Sequence, residues 1–254
     1  TNRRCGRCMN QCLLTVNCFS SGETFIAGNR CERGLGLERK SREQVPNLVA
    51  YKYARTFQYT PLKAEKAPRG EIGIPRVLNQ FENYPFWFTL LTNLGFRVLL
   101  SSPSSKKIYE RGLETIPSES ACYPAKLCHG HILNLVDRGI KTIFYPSVVY
   151  EKKEYPEATN HYNCPIVTSY PEVIRHNIDA LKSQQVTILT PFFSLDNKKI
   201  LIKRVAEEFA SFGVTYEEAK RAVIAAWKER EEYKKDIQKK GEETLAYLKK
   251  EGKK

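Results

Sequence analysis

The sequence predicts an α/β protein in which a Rossmann-like parallel sheet carries helices on both faces. A small four-cysteine knuckle precedes this sheet, and a long C-terminal helix follows it. The sheet is predicted because short apolar runs alternate with helical segments from Glu71 onwards, with short connections between them. The knuckle is predicted because residues 1–45 concentrate cysteine and glycine, and the long helix because residues 215–254 repeat apolar side chains every three or four positions.

Shifts in composition divide the chain into four parts. They are a knuckle over residues 1–45, a connecting segment over 46–70, an α/β domain over 71–214 and a helical extension over 215–254. Within the knuckle, alternating apolar residues on both sides of the turn at Ser20-Ser21-Gly22 predict a short hairpin.

Strand and helix signals follow one another along the α/β domain. Strands are predicted over residues 70–78, 96–102, 141–149, 164–170 and 186–193, and helices over 83–95, 104–113, 125–139 and 171–181. The first of these helices has Pro85 in its first turn and Gly95 as its stop. The charged helix over residues 216–248 has one apolar stripe, which is typical of a surface helix packed on the body of a protein; a helix that bridges to a further domain has the same pattern.

The formal net charge of +13 is concentrated in residues 1–70, where 13 Lys and Arg face 5 Asp and Glu. A basic patch attracts nucleic acid, a nucleotide or an acidic partner, and charge alone does not choose among them. Thiolates around a metal would offset part of this surplus, so nucleic acid is not the expected partner. No apolar run approaches the ~18 residues of a membrane span, and no export signal opens the chain. We therefore expect a cytoplasmic protein that does not enter a membrane.

Eight cysteines without an export signal favour metal or redox chemistry over disulfides. Cys5, Cys8 and Cys12 form a C-x2-C-x3-C pattern, and Cys31 supplies a fourth thiolate. Both zinc and a four-iron cluster accept four thiolates, so the spacing predicts a metal site without choosing the metal. Cys18 lies on a predicted strand and is expected to be a small buried residue.

A second cysteine pair lies in the α/β domain. Cys122 precedes a predicted helix, whose N-terminus favours an anionic ligand. Cys164 precedes Pro165 at the start of a predicted strand, and two such loops can converge at one crevice of an α/β sheet. Two unrelated core cysteines would give the same pattern. Cys128 is expected in the core, whereas His129 and His131 are expected at the helix surface or as capping residues, because their i, i+2 spacing does not share a helix face.

Signatures of several enzyme classes are missing from the sequence. It has no Walker phosphate loop, no G-x-G-x-x-G after a strand, no G-x-S-x-G elbow and no H-E-x-x-H pair. ATP binding, nicotinamide chemistry and the common hydrolase mechanisms are therefore not predicted for these residues.

Several long segments resemble one family. The C-x2-C-x3-C pattern with GNRCERG, then IGIPRVLNQFENYPFWFTLLTNLGFRVLLS, SESACYPAKLCHGH and NCPIVTSYPEVI, is similar in order to acyl-CoA dehydratase activase-related proteins, which are related to the 2-hydroxyglutaryl-CoA dehydratase system. The resemblance implies low-potential electron transfer to a CoA-ester dehydratase, and partner domains of actin-like activase type. It matches Cys5, Cys8, Cys12 and Cys31 to the family's N-terminal pattern, and Cys122 and Cys164 to two of three cluster ligands in the dehydratase subunits. No cysteine follows Cys164, so that second iron–sulfur site is incomplete.

Two hypotheses of different class follow. In the first, the chain is an iron–sulfur or zinc module of a CoA-ester dehydratase system, acting in electron transfer or as a dehydratase-like part. In the second, it is a zinc-stabilised binding or scaffold module, with nucleic acid as one ligand class. No complete active site is visible, so the sequence does not decide whether this chain is itself an enzyme. Because it begins at Thr1 without Met, we expect a piece of a longer protein.

Overall fold

The computed structural model describes residues 1–29, 31–36 and 45–252. The chain divides into two compact units. One comprises Thr1–Asn47 together with Ala246–Lys254, and the other comprises Leu48–Leu245. We call them the knuckle unit and the α/β unit.

A three-stranded antiparallel sheet forms the described part of the knuckle unit. Its strands are β1 (Asn2–Arg4), β2 (Leu13–Cys18) and β3 (Thr24–Ala27), in that spatial order. The predicted hairpin is therefore confirmed: β2 pairs with β3, with Val16 opposite Ile26 and Cys18 opposite Thr24. A 3-10 helix over Glu32–Leu35 follows.

A four-stranded parallel sheet is the centre of the α/β unit, as predicted. Its strands are β4 (Glu71–Ile74), β5 (Arg97–Leu100), β6 (Thr142–Phe144) and β8 (Thr187–Leu189), in the spatial order β5-β4-β6-β8. Two short strands, β7 (Ser147–Val148) and β9 (Phe192–Phe193), pair in parallel beyond the ends of β6 and β8. The connection from β4 leads to β5 on one side of it, and the next connection leads to β6 on its other side. The strand order therefore reverses between β4 and β6. Open α/β sheets bind ligands at such a topological switch point.

Eight α-helices accompany these sheets in the described residues. They are α1 (Leu48–Phe57), α2 (Leu78–Asn93), α3 (Lys106–Gly112), α4 (Tyr123–Asp137), α5 (Pro165–Asn177), α6 (Asp179–Ser183), α7 (Lys198–Glu208) and α8 (Tyr216–Lys250). None of the described helices is both long and apolar enough to cross a membrane.

One predicted helix and one predicted strand differ from the structure. Helix α2 begins at Leu78 rather than at residue 83, so Pro85 lies inside the helix and not in its first turn. Residues 164–170 are not a strand, because α5 begins at Pro165. Proline suits the first helical position, since its missing N–H is not needed there. The β-branched residues that suggested a strand are overridden by tertiary packing, which buries Tyr170 and Ile174 four positions apart on one face of α5.

Apolar cores cover both faces of the four-stranded sheet. On one face, α2, α7 and α8 bury a cluster that includes Trp87, Phe144 and Trp227. On the other, α4, α5 and α6 bury a second cluster that includes Ile143 and Ile174. Helices on both faces explain why the parallel strands are short, apolar runs.

The first and last helices of the α/β unit are joined by polar contacts. Tyr51 Oη donates to Asp236 Oδ2 at 2.9 Å, and Arg55 Nη2 lies 2.8 Å from Glu229 Oε1. The hydroxyls of Thr56 and Tyr233 are hydrogen-bonded at 2.8 Å. Helix α1, which lies within the predicted connecting segment, is therefore held against α8 by hydrogen bonds and an ion pair.

Candidate functional site

Three of the predicted metal ligands lie on one closed loop of the knuckle unit. The Cys5 N–H donates to the Cys12 carbonyl at 2.8 Å, which brings the two ends of the loop together. Inside it, the Gln11 N–H donates to the Cys8 carbonyl at 3.2 Å, and Gln11 has a φ of 42°. The C-x2-C-x3-C spacing thus forms a tight turn that holds three sulfurs within one short segment.

The fourth predicted ligand, Cys31, lies at the N-cap of the 3-10 helix and is exposed. The helix that follows it packs close to the cysteine loop, since Gly34 and Cys5 line the same small cleft. A Cβ at Gly34 would lie 2.7 Å from the Cβ of Asn29 and 3.6 Å from Cδ2 of Leu14, so this segment requires glycine. Four thiols from two adjoining segments match the donor set of a zinc or four-iron site.

The thiols are not equally accessible. Cys5 is buried, Cys12 is half-buried, and Cys8 and Cys31 are exposed. Among the residues that the structure describes, no three Cys, His, Asp or Glu side chains are grouped as metal ligands. The prediction that Cys18 is buried is wrong: it is the last residue of β2, and its side chain is exposed.

Cys122 and Cys164 are the N-cap residues of α4 and α5. Their backbones adopt nearly the same conformation, with φ and ψ of −63° and 152° at Cys122 and −64° and 155° at Cys164. Both helices run back towards the start of the next parallel strand, so both N-termini lie at the carboxyl edge of the sheet. Both side chains are exposed, and Cys164 Sγ accepts from the Val167 N–H at 3.5 Å.

The prediction that His129 and His131 lie at the helix surface is wrong, because both are fully buried. His131 Nδ1 is hydrogen-bonded to Ser101 Oγ at 2.8 Å and its Nε2 to Ser104 Oγ at 2.9 Å. His129 Nδ1 is hydrogen-bonded to Thr115 Oγ1 at 2.8 Å, and its Nε2 to Tyr170 Oη at 3.2 Å. As expected from their spacing, the two imidazoles face different neighbours. Burial lowers the pKa of each to about 4.

Cys128 is in the core, as predicted, at 0% exposure. Its Sγ lies 3.5 Å from Tyr145 Oη, and burial raises the pKa of the thiol to about 12. Burial, followed by the charges of Cys128 and Cys122, raises the pKa of Tyr170 to about 12. Cys128 of α4 and Tyr170 of α5 are thus buried side chains that stay neutral near pH 7.

An open cleft of about 630 Å³ lies at the switch point of the sheet. Its walls come from α1, the start of α2, the segment between β7 and α5, and α8. Leu78, the first residue of α2, lines it with a φ of 42°, a strained left-handed value for a branched side chain. Val167 of α5 lines it as well, one turn from Cys164.

Sequence reasoning did not find this cleft or the buried histidines. The residues that line the cleft come from both ends of the α/β unit, so they form no motif of fixed spacing in the sequence. For the histidines a signal was present, since the serines that follow β5 and the helical segment with CHGH are both visible in the sequence.

A family model for the CoA enzyme activase uncharacterised domain matches residues 71–254. The chain belongs to this family. The match confirms the resemblance seen in the sequence and covers the whole parallel sheet and α8. No curated protein and no solved structure matches the chain.

Proposed function

We propose that this CoA enzyme activase family member is a metal-binding module that serves low-potential electron transfer in a CoA-ester dehydratase system. Cys5, Cys8, Cys12 and Cys31 are the proposed ligands. The observation that supports the proposal is the backbone hydrogen bond from Cys5 to Cys12, because it brings together the two ends of the segment that carries three thiols.

The residues present suit a thiolate-bound centre. Arg3, Arg4 and Cys5 line one cleft, so cationic side chains lie near one of the proposed ligands and would oppose the negative charge of a thiolate-bound centre. A four-iron cluster held by these thiolates would supply one-electron chemistry, and zinc would supply only structure. Iron with sulfide therefore favours electron transfer, and zinc favours the scaffold alternative.

Cys122 and Cys164 form the proposed second, incomplete iron–sulfur site. Their shared N-cap geometry at one edge of the sheet supports this assignment, because the free N–H groups of a helix N-terminus stabilise anionic ligands. We propose that this site is completed outside these residues, by a partner domain of activase type or by the dehydratase.

Metal analysis of anaerobically purified protein tests the proposal. Iron and acid-labile sulfide should be present in the wild type and should fall in Cys8→Ser and Cys31→Ser. Cys18→Ser is the matched control, because Cys18 is an exposed thiol of the same unit that is not a proposed ligand. Metal-free wild-type protein would contradict the proposal, as would equal losses in all three variants. Zinc without iron would overturn electron transfer and leave a structural site.

A further inference from the structure

We infer that the open edge of the parallel sheet, at strand β8, is a docking site for an extended acidic segment of a partner protein, which adds to the sheet as a further strand. β8 is the last strand in the spatial order β5-β4-β6-β8, so only one of its sides is paired. An unpaired edge offers backbone donors and acceptors to an incoming strand. The inference does not depend on a metal, since none of the proposed metal ligands lines this edge.

The hydrogen bonds between β6 and β8 show which backbone groups are free. The Thr187 N–H donates to the Lys141 carbonyl at 2.8 Å, and the Leu189 carbonyl accepts from the Tyr145 N–H at 2.9 Å. Consecutive residues of a strand direct their backbone groups to opposite sides. Ile188 therefore directs its N–H and its carbonyl away from β6, where neither has a backbone partner in the part of the chain that the structure describes.

The opposite edge of the same sheet, at β5, is closed. Val98 is fully buried there, and the Leu100 carbonyl accepts from Arg138 Nη1 at 2.7 Å. On β8, by contrast, Thr187 is exposed and Ile188 is only half-buried. Proteins generally cover or blunt the edges of their sheets. Of these two edges, β8 is therefore the one that can accept a further strand.

A groove of about 580 Å³ lies along this edge. Thr187 and Ile188 line it from β8, and residues of α5 and α6 line it from the side. Leu181 and Val186 contribute apolar surface to the groove. A groove beside an open strand holds alternate side chains of an added strand, while the backbone hydrogen bonds hold its main chain.

The charge of the groove favours an acidic occupant. Its ionisable lining residues are Arg175, His176 and Lys182, and no acidic residue lines it. Lys182 has no ion pair among the described residues. Glu172 lies outside the groove, 3.8 Å from Arg175 Nη1 and thus beyond hydrogen-bond distance, and its Oε1 accepts from the Thr190 hydroxyl. Glu172 therefore offsets Arg175 in part and leaves the charge of Lys182 uncompensated.

The same charges argue against a second copy of this chain as the occupant. A two-fold symmetric contact brings the same surface of both chains together. Edge-to-edge pairing of two β8 strands would therefore place Arg175 and Lys182 of one chain near those of the other, and like charges in an interface are costly. An extended segment with Asp or Glu at alternate positions instead directs its carboxylates to one face, towards these cations.

Titration of the isotope-labelled full chain by NMR tests the inference. The probe is a short blocked peptide of alternating glutamate and valine. It should bind saturably, shift the Ile188 amide signal and slow the hydrogen exchange of that amide, because the N–H gains a partner. Two control peptides should not bind: one with lysine in place of glutamate, and one whose central amides are N-methylated and cannot pair with β8.

Lys182→Glu should weaken binding of the acidic peptide about tenfold or more, since it places like charges together. Lys199→Glu, a change at an exposed lysine of α7, is the matched control and should bind like the wild type. The inference is overturned if the Ile188 amide does not respond, if either control peptide binds as tightly, or if folded Lys182→Glu retains wild-type affinity. Dimerisation through the β8 edge without peptide would also overturn it, in favour of a second copy. None of these outcomes bears on metal content, so the inference and the proposed function can fail separately.

Discussion

Replacing Gly130 with alanine should destabilise the α/β unit through one backbone contact. Helices α3 and α4 approach each other at Gly112 and Gly130, where a Cβ on either glycine would meet backbone atoms of the other helix. A Cβ at Gly130 would lie 1.8 Å from the carbonyl oxygen of Ile108 and 2.7 Å from its carbonyl carbon. Both are backbone atoms of α3, so no side chain can rotate away, and the two helices must separate.

The size of the effect follows from that distance. Real Cβ contacts are essentially never shorter than 3.0 Å, so α3 has to move by about 1 Å or more. Overpacking of this kind costs about 3 kcal/mol or more, whereas alanine gains about 1 kcal/mol of helix propensity over glycine. We expect a net loss of about 2 to 3 kcal/mol in the free energy of unfolding.

Urea unfolding followed by tryptophan fluorescence measures this loss, because both tryptophans, Trp87 and Trp227, belong to the core of the α/β unit. Gly241→Ala is the matched control: Gly241 is also inside a helix, but a Cβ there meets nothing within 4 Å. It should raise stability by about 1 kcal/mol. Equal midpoints for Gly130→Ala and the wild type, or a common shift for both variants, would refute the steric argument.

Two further predictions concern buried polar groups. His129 and His131 stay neutral in the folded protein down to a pKa of about 4, whereas in the unfolded chain each histidine takes up a proton below its ordinary pKa of about 6.5. The contribution of these two histidines to the free energy of unfolding should therefore be constant above pH 6.5. It should fall below that pH, by about 2 kcal/mol for each histidine near pH 5. Urea midpoints between pH 7 and pH 5 check this, and a flat profile would contradict it. Arg69 donates to the carbonyls of Leu94, Phe212 and Gly213 at 2.6 to 3.0 Å, so Arg69→Met should cost about 3 kcal/mol. Arg97→Met, which removes the partly exposed ion pair with Glu71, should cost about 1 kcal/mol or less in the same assay; similar losses for both would count against the role of Arg69.

The parallel sheet was predictable because each of its strands belongs to a short, largely apolar run that alternates with a helical segment. That signal failed at residues 164–170, where Ile166 and Val167 are as apolar as strand residues but follow Pro165 in the first turn of α5. Periodicity over seven residues does not separate a buried strand from a buried helix. Only the packing of Tyr170 and Ile174 decides between them.

The candidate ligands were also predictable as cysteines, but their surroundings were not. Spacing identifies Cys5, Cys8 and Cys12 as one loop, whereas the exposure of Cys18 depends on which side of a small sheet is covered. The histidines illustrate the same limit, because two residues on different faces of a helix can both be buried when the helix packs on two neighbours. The residues that line the large cleft extend from Lys52 to Gln238, and no local pattern relates them.

The polar contacts between α1 and α8 affect the order in which the protein folds. Arg55 and Glu229 are separated by 174 positions, and Thr56 and Tyr233 by 177. Contacts between such distant positions form late, since a long loop must close first. During synthesis, Tyr51, Arg55 and Thr56 of α1 therefore stay without these polar partners until α8 has left the ribosome. Truncation before Glu229 would then remove the partners of all three side chains, while the aromatic contacts of α1 with α2 remain.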